Sequence, residues 1–282
     1  TDQHMKISAT VVGVDASLTL GFKNGQADTN GGAVGIGVAI ARNYIGYDAN
    51  GELETDATGA AKRAQVQAYV RNSKLTAGGQ MAATTLFTPT INAEVDAFAV
   101  AANFAGSDNK TTQWAGAGVG AEATSRIAVD VKANVSADST TVVANPSTSP
   151  SLAAGSVALT AIDTSTITSR AHGGSLALVA AGKAGATLAI GVSLARNEID
   201  NVVEASIKGL AKFDATSSSP SEPNGISLTA TASPTIDAAA VAVSAAGSFS
   251  TGESNPSSGF TGAVSGAGAE STNVILGSTT AT

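Results

Sequence analysis

Bulky and small side chains alternate strictly along several stretches of the chain. Val34, Ile36, Val38 and Ile40 are separated by single glycine or alanine residues, and the same alternation returns over residues 188–194. Successive side chains of a β-strand point to opposite faces, so a period of two predicts strands with one bulky and one small face. We expect the bulky face to fill the interior and the small face to let a second sheet or a neighbouring chain come close.

The alternating stretches belong to a long internal repeat. Residues 41–43 (Ala-Arg-Asn) recur as residues 195–197, 154 positions later, and the phrase that starts at Gly120 recurs from Gly268, 148 positions later. Two unrelated phrases with nearly equal offsets indicate a repeat architecture. We therefore predict a first long unit over residues 1–152 and a second over 153–282, arranged as one elongated domain.

A shorter period divides each unit. Ile91, Ile167 and Ile236 each follow a threonine-rich segment and lie 76 and 69 residues apart. Two stretches rich in turn residues and charge, 47–64 and 212–224, interrupt this spacing. They are predicted to be loops inserted between the repeated strands.

Residues 92–103 also fit an amphipathic helix, and the repeat decides against it. The equivalent stretch holds His172 followed by two glycines, and the third copy, 237–244, places β-branched residues on alternate positions. A position that accepts Gly-Gly in one copy is a poor helix position in the others. We expect strands in all three copies and a turn at His172.

The predicted fold class is all-β, with a β-solenoid or stacked β-sheet repeat architecture. Tandem β-sandwiches of about 75 residues each use the same alternation and are the alternative. Uncapped ends of such a structure would expose unpaired strand edges, which template self-association.

Composition narrows the function classes. Only 13% of residues are charged and 4% aromatic, so the interior must be built from small side chains. A net charge of −7 and scattered basic residues argue against nucleic-acid binding. The absence of cysteine removes disulfides, thiol catalysis and thiolate metal sites. The apolar stretch 175–195 alternates with period two, so no membrane span is expected.

Three phrases resemble the repeat region of giant Gly/Ala/Thr-rich bacterial surface proteins of the adhesin and haemagglutinin kind. They are the glycine-alternating stretch 35–46, residues 66–70 and the Leu-Thr-Ala-Gly-Gly phrase at 75–79. The resemblance implies an extracellular, cell-surface location, a β-solenoid-like fold and a role in attachment, matrix or filament building. It brings no catalytic residues.

One loop carries the oxygen donors of a candidate metal site. Hard cations such as calcium bind six to eight oxygens, and an alternating acidic run around a glycine turn offers several. A solvated turn around Asn50 and Gly51 explains the same pattern without metal and is preferred. The candidate calcium ligands are Asp48, Asn50, Glu52, Glu54 and Asp56. No other cofactor is predicted.

Two further sets of residues carry candidate chemistry. One set consists of structural repeat positions: Arg42 and Asn43, with their copies Arg196 and Asn197. We interpret them as residues that cap backbone carbonyls at a turn and stack in a ladder from one repeat to the next. A ligand site is the less favoured interpretation. Carboxylates that could serve a polysaccharide-cleaving site are expected instead to be solvated charges at strand ends: Asp130, Asp163, Asp200 and Glu204.

The sequence therefore predicts a structural extracellular protein rather than an enzyme. It would form a stalk, filament or surface matrix through stacking of its β-strands and self-assembly of its copies. The alternative is an adhesin or a glycan- or ice-binding module, which would use threonine rows near residues 84–90, 164–168 and 229–235. A polysaccharide lyase or hydrolase ranks last.

Overall fold

A computed structural model describes residues 1–21, 31–77, 79–105, 112–137, 151–181, 184–215, 225–250 and 261–282. The described residues form seventeen β-strands and no helix. The strands are β1 (Asp2–Gln3), β2 (Lys6–Gly21), β3 (Gly31–Ile45), β4 (Ala64–Arg71), β5 (Lys74–Thr76), β6 (Gln80–Phe87), β7 (Thr90–Ala105), β8 (Thr112–Ile127), β9 (Val129–Ser136), β10 (Ser151–Ala154), β11 (Ser156–Asp163), β12 (Thr166–Ala181), β13 (Ala184–Lys208), β14 (Lys212–Ala215), β15 (Gly225–Ala232), β16 (Thr235–Ser250) and β17 (Thr261–Ala281).

The strands form four sheets in which every pair of neighbours is parallel. Sheet A has the order β1-β6-β11-β15, sheet B the order β16-β12-β7-β2, and sheet D the order β14-β10-β5. In sheet C, β13 pairs with β8 along its first half, with β9 along its second half, and with β17. The other neighbours are β3 beside β8 and β4 beside β9.

Repeat-related residues lie side by side in these sheets. Ile91 pairs with Ile167, and Ile167 pairs with Ile236. The half-unit spacing of the sequence is therefore the register of sheet B. The division into units 1–152 and 153–282 remains a prediction; in sheet C, strands of the two predicted units are direct neighbours.

Two cores lie between the sheets. The inner faces of sheets B and C pack through alanines and a few valines, among them Ala97, Ala121 and Val179. A second core of larger side chains lies among sheets A and D and the β9 half of sheet C, and it contains Phe87, Leu152 and Ile199. Small residues thus pack two sheets face to face, and large ones fill the wider space beside them.

The predicted β-solenoid or stacked β-sheet repeat is wrong, and so are the tandem sandwiches. The chain is all-β, but its strands form separate parallel sheets, and the arrangement around the larger core is nearly closed and barrel-like. Strand lengths run from 2 residues in β1 to 25 in β13, which alone pairs with three other strands. Period-two alternation identifies strands, but it carries no information about sheet partners or closure.

The expected orientation of the bulky faces is also wrong for sheet C. Gly35, Gly37 and Ala39 face sheet B, whereas Ile36 and Val38 are 64% and 61% exposed on the outside. Close approach of a second sheet does occur, because the small face lies inside. Both faces of these strands lack charge over most of their length, so the alternation alone does not distinguish inside from outside.

The choice of strand over helix is confirmed. Residues 92–103 lie in β7, and the two related stretches lie in β12 and β16. The predicted turn at His172 is wrong, because this residue lies within β12. Its Nδ1 is 2.8 Å from Oδ1 of Asp96, the residue paired with it on β7.

Candidate functional surfaces

The candidate calcium loop folds as two separate turns between β3 and β4. In the first turn, Oδ1 of Asp48 accepts hydrogen bonds from the backbone N–H of Asn50 (2.9 Å) and of Glu52 (2.8 Å). These donors, with that of Glu52 first, hold the pKa of Asp48 below its ordinary value. One oxygen of this carboxylate is therefore already occupied by the turn.

The second turn uses Asp56 in the same way. Its Oδ1 accepts hydrogen bonds from the hydroxyl (2.6 Å) and N–H (2.8 Å) of Thr58 and from the N–H of Ala60 (3.0 Å), which lowers the pKa of Asp56. Glu54 pairs instead with Lys62 at 3.1 Å. Across the described part of the chain, no group of three or more His, Cys, Asp or Glu side chains is placed to hold a metal ion. Calcium binding stays a prediction.

A partly buried polar cluster attaches this loop to the sheets. Nη2 of Arg63 lies 2.6 Å from Oδ2 of Asp200 on β13, and its Nε donates to the Asp200 carbonyl at 3.1 Å. Arg126 on β8 donates to the carbonyl of Gly51 at 2.7 Å and lies 5.8 Å from the ring centre of Tyr47. Segment 46–63 is thus held on residues that are 75 to 151 positions away in sequence.

Tyr47 is partly buried within this cluster. Its hydroxyl donates to Oε1 of Glu198 at 3.1 Å, and Arg126 lies 3.6 Å from the other oxygen of that carboxylate. Burial first, and then the neighbouring Glu198 charge, raise the pKa of Tyr47 well above its ordinary value. The donors and acceptors here satisfy one another, so the cluster acts as an anchor for the loop.

The four repeat positions lie inside strands. Arg42 and Asn43 lie near the end of β3, whereas Arg196 and Asn197 lie near the middle of β13. The two arginines are exposed and the two asparagines are buried. Capping of turn carbonyls by these residues remains a prediction; the register instead puts them into two rows across sheet C.

The inner row of sheet C is a polar ladder. The aligned residues are Asn43, Ser125, Asn197 and Asn273. Nδ2 of Asn197 donates to Oδ1 of Asn273 at 2.9 Å. Asn43 Nδ2, Ser125 Oγ and Asn197 Oδ1 are buried without a hydrogen-bond partner among the described residues. Such a row adds buried polar groups to a sheet pair whose interior consists mainly of alanine.

A second buried polar group joins sheets A and C. Asp163, at the end of β11, is fully buried and accepts hydrogen bonds from the N–H of Ser165 (3.0 Å) and from Nδ2 of Asn201 on β13 (2.8 Å). Oδ1 of Asn201 in turn accepts from the N–H of Val129 (2.9 Å). A cavity of about 440 Å³ opens beside this group. The expectation of a solvated Asp163 is therefore wrong.

The other three candidate carboxylates are paired with cations. Asp200 contacts Arg63, Asp130 lies 2.8 Å from Lys132, and Glu204 pairs with Lys208. They lie along one paired stretch of β9 and β13, where Asp130 is aligned with Val202 and Glu204 with Lys132. Each carboxylate is engaged by a cation.

The outer faces of sheets B and C are largely apolar. Sheet B exposes Val14, Phe98 and Val243 in one aligned row, and sheet C exposes Val34 and Leu188 in another. Apolar patches of this extent on a protein surface mark interaction sites. Sequence reasoning missed these residues as surface candidates, because it assigned bulky side chains to the interior.

The predicted threonine rows are aligned in part. Thr84, Thr160 and Thr229 lie side by side across sheet A. The next outward row along the same strands holds Leu86, Ile162 and Thr231, so the threonine pattern is interrupted by aliphatic residues.

The described part of the chain contains no helical segment of sufficient length and apolarity to cross a lipid bilayer. Comparisons with models of known protein families, with curated proteins and with solved structures find no match to this chain.

Proposed function

We propose that this protein is a structural, self-associating protein of the bacterial cell surface that builds a stalk, filament or matrix by adding strands to its sheet edges. The observation that supports this is the pair of long edge strands on each large sheet. Sheet B ends in β2 and β16, and β3 and β17 lie at the margins of sheet C. The outward backbone N–H and C=O groups of an edge strand are a template for another strand.

The two edges of sheet B are compatible with each other. Strands β2 and β16 have 16 residues each, as do the two strands between them. All neighbours are parallel, so β16 of one copy can pair with β2 of the next without reversing direction or changing strand length. Such an addition would extend sheet B by the geometry it already has.

Edge strands β16 and β17 carry few of the features that normally prevent association, whereas β2 carries Lys6 and Asp15. Strand β16 contains no proline or lysine, and Asp237 is its one charged residue; β17 has Glu270 alone. Monomeric proteins usually place charges, prolines or bulges on such strands. The weak protection here supports association as the function of these edges.

Negative-stain electron microscopy of the purified chain over a concentration series, with and without calcium, tests the proposal. We expect ordered fibres or sheets, and we expect Val243→Lys on edge strand β16 to shorten them. The matched control is Val100→Lys, which introduces the same charge on the same outer face but on the interior strand β7. Discrete monomeric particles at all concentrations would eliminate the proposal.

The second candidate is an ice- or glycan-binding module, favoured by the aligned row of Thr84, Thr160 and Thr229. Neighbouring strands are about 4.8 Å apart, so the row presents hydroxyl and methyl groups at regular intervals. Thermal hysteresis that is lost in Thr160→Tyr would support ice binding. Its absence, with no binding on a glycan array, would leave the structural function alone.

A further inference from the structure

The outer face of sheet C has a corrugated surface that the edge-association proposal does not use. Two of its strands present bulky residues outward, and two present glycine at most positions, with Val264 on β17 as an exposed exception. We call the bulky rows ridges: Val34, Ile36 and Val38 on β3, and Leu188, Ile190 and Val192 on β13. The glycine rows are grooves: Gly116, Gly118 and Gly120 on β8, and Gly266 and Gly268 on β17.

The register places each groove beside a ridge at the same height. Gly118 pairs with Ile36 on one side and with Ile190 on the other, and Ile190 pairs with Gly266. A Cβ built on any of the five groove glycines meets no atom within 4 Å. The groove floors are therefore open, and the ridge residues beside Gly118 are 64% and 47% exposed.

Charge follows the same alternation at one end of this face. The ridge strands carry Arg42 and Arg196, which share a row, and the groove strands carry Glu122 and Glu270 in the row next to it. The row at the opposite end sets Trp114 of the β8 groove against Ala186 of the β13 ridge. Ridge and groove thus differ in size in the rows of Gly118 and Gly120, and in charge at one end of the face.

We infer that this ridge-and-groove face binds the same face of a second copy of the chain. A two-fold axis that runs along the strands, midway between β8 and β13, keeps the strand direction and exchanges ridge for groove. The β13 ridge then enters the second copy's β8 groove, and the β3 ridge lies over its β17. In the row of Gly116 the β17 strand carries Val264, so there the two-fold partner of Val34 is a bulky residue. The interface is isologous, as two-fold dimers require.

The same operation brings opposite charges together. Because strand direction is kept, Arg196 lies over the second copy's β8 close to Glu122, and Arg42 lies close to Glu270. The indole of Trp114 covers Gly32 of its own β3 and adds apolar area at the other end of the face. Complementary charge at the rim fixes register, while the buried aliphatic rows and the tryptophan supply the apolar area.

The face is large enough for a stable dimer. Four strands at about 4.8 Å spacing and about 12 residues at about 3.3 Å give a face of roughly 750 Å² on each copy. The total of roughly 1,500 Å² lies within the range of specific protein interfaces. Since this contact involves side chains of a sheet face, it is independent of the backbone edges that the proposed function uses.

Sedimentation equilibrium over a dilution series is the first test. We expect a dimer whose dissociation constant rises by roughly 100-fold in Val192→Glu, since a carboxylate would be buried in the β8 groove. Val100→Glu is the matched control: Val192 is 40% exposed and Val100 is 38% exposed, both on interior strands but on opposite outer faces. A monomer at every concentration, or equal effects of the two variants, would overturn the inference.

A mixing experiment tests the symmetry itself. Glu122→Arg and Arg196→Glu each create like-charge contacts in a homodimer, so each variant alone is expected to be monomeric. Mixed one to one, they restore both opposite-charge contacts, and we expect a heterodimer. Pairing within one chain cannot produce this result, because neither chain carries both changes. Failure to form the mixed dimer would contradict the proposed axis.

The two kinds of variant distinguish face-to-face dimers from edge-grown fibres, and vesicle binding distinguishes a second copy from a lipid surface. Val192→Glu should weaken the dimer roughly 100-fold and leave edge-grown fibres unchanged, whereas Val243→Lys should shorten the fibres and leave the dimer unchanged. Binding of the monomer to phosphatidylcholine vesicles through this face, with no dimer in their absence, would replace the second copy by a lipid surface and overturn the inference.

Discussion

Substitution of Gly37 by alanine tests how closely sheets B and C approach each other. A Cβ at Gly37 would lie 2.6 Å from the carbonyl oxygen of Phe98 on the facing strand, while ordinary contact begins at 3.4 Å. The two sheets must therefore move apart by about 0.8 Å locally. The obstacle is backbone rather than a flexible side chain, so the displacement spreads along the alanine core.

We expect Gly37→Ala to lower the free energy of unfolding by roughly 1–2 kcal/mol. Overpacking costs about 1–3 kcal/mol, and the loss of glycine flexibility in the unfolded chain returns up to about 1 kcal/mol. The control is Gly118→Ala on the neighbouring strand, where the new methyl group points outward and meets nothing within 4 Å; its effect should be neutral or stabilising by up to about 1 kcal/mol. Urea unfolding of dilute samples measures both, and equal destabilisation would refute the close approach.

Three further predictions concern the polar groups. Asn201→Leu should cost roughly 3–5 kcal/mol in urea unfolding, because it removes the donor to Oδ2 of the buried Asp163 and the acceptor of the buried Val129 N–H. Asn92→Leu on the outer face should cost below about 0.5 kcal/mol, and a similar loss in both would contradict the buried junction. Arg63→Gln should expose loop 46–63 to protease and speed its amide exchange, whereas Lys62→Gln, in a pair whose side chains are 66% and 61% exposed, should not. Acid should loosen the second turn, because the pKa of Asp56 is depressed on folding, so its stabilisation is present above about pH 4 and is lost as the pH falls through the lower folded value. The protection factors of the turn amides, which are corrected for the intrinsic exchange rate at each pH, should fall with pH in the wild type and not in Asp56→Asn.

The strands followed from local information. Strict alternation around Ile36 and Ile190 predicted strands, since alternation reflects the backbone geometry of a single strand. The period of Ile91, Ile167 and Ile236 was also present in the sequence, and the structure shows that these residues are lateral neighbours in sheet B. Like sequences with like spacing align when they pair in parallel.

The polar junctions could not be predicted in this way. Asp163 and Asn201 are 38 residues apart, and neither position stands out in the repeat. Arg63 meets Asp200 across 137 residues. Each of these residues would be an ordinary surface residue if its partner were elsewhere. Whether a carboxylate is solvated or buried depends on which elements meet around it, and strand patterns do not contain that information.

The sequence by itself determined an all-β chain with a period near seventy residues and a surface poor in charge. The tertiary structure decided which sheets form, how nearly they close around the large core, and which face of each strand lies inside. That last decision reversed our expectation, because two sheets joined through alanine and glycine can approach closely and pack many small side chains, which leaves the ridges of sheet C outside. The choice depends on contacts between sheets, and such contacts exist only once the chain has folded.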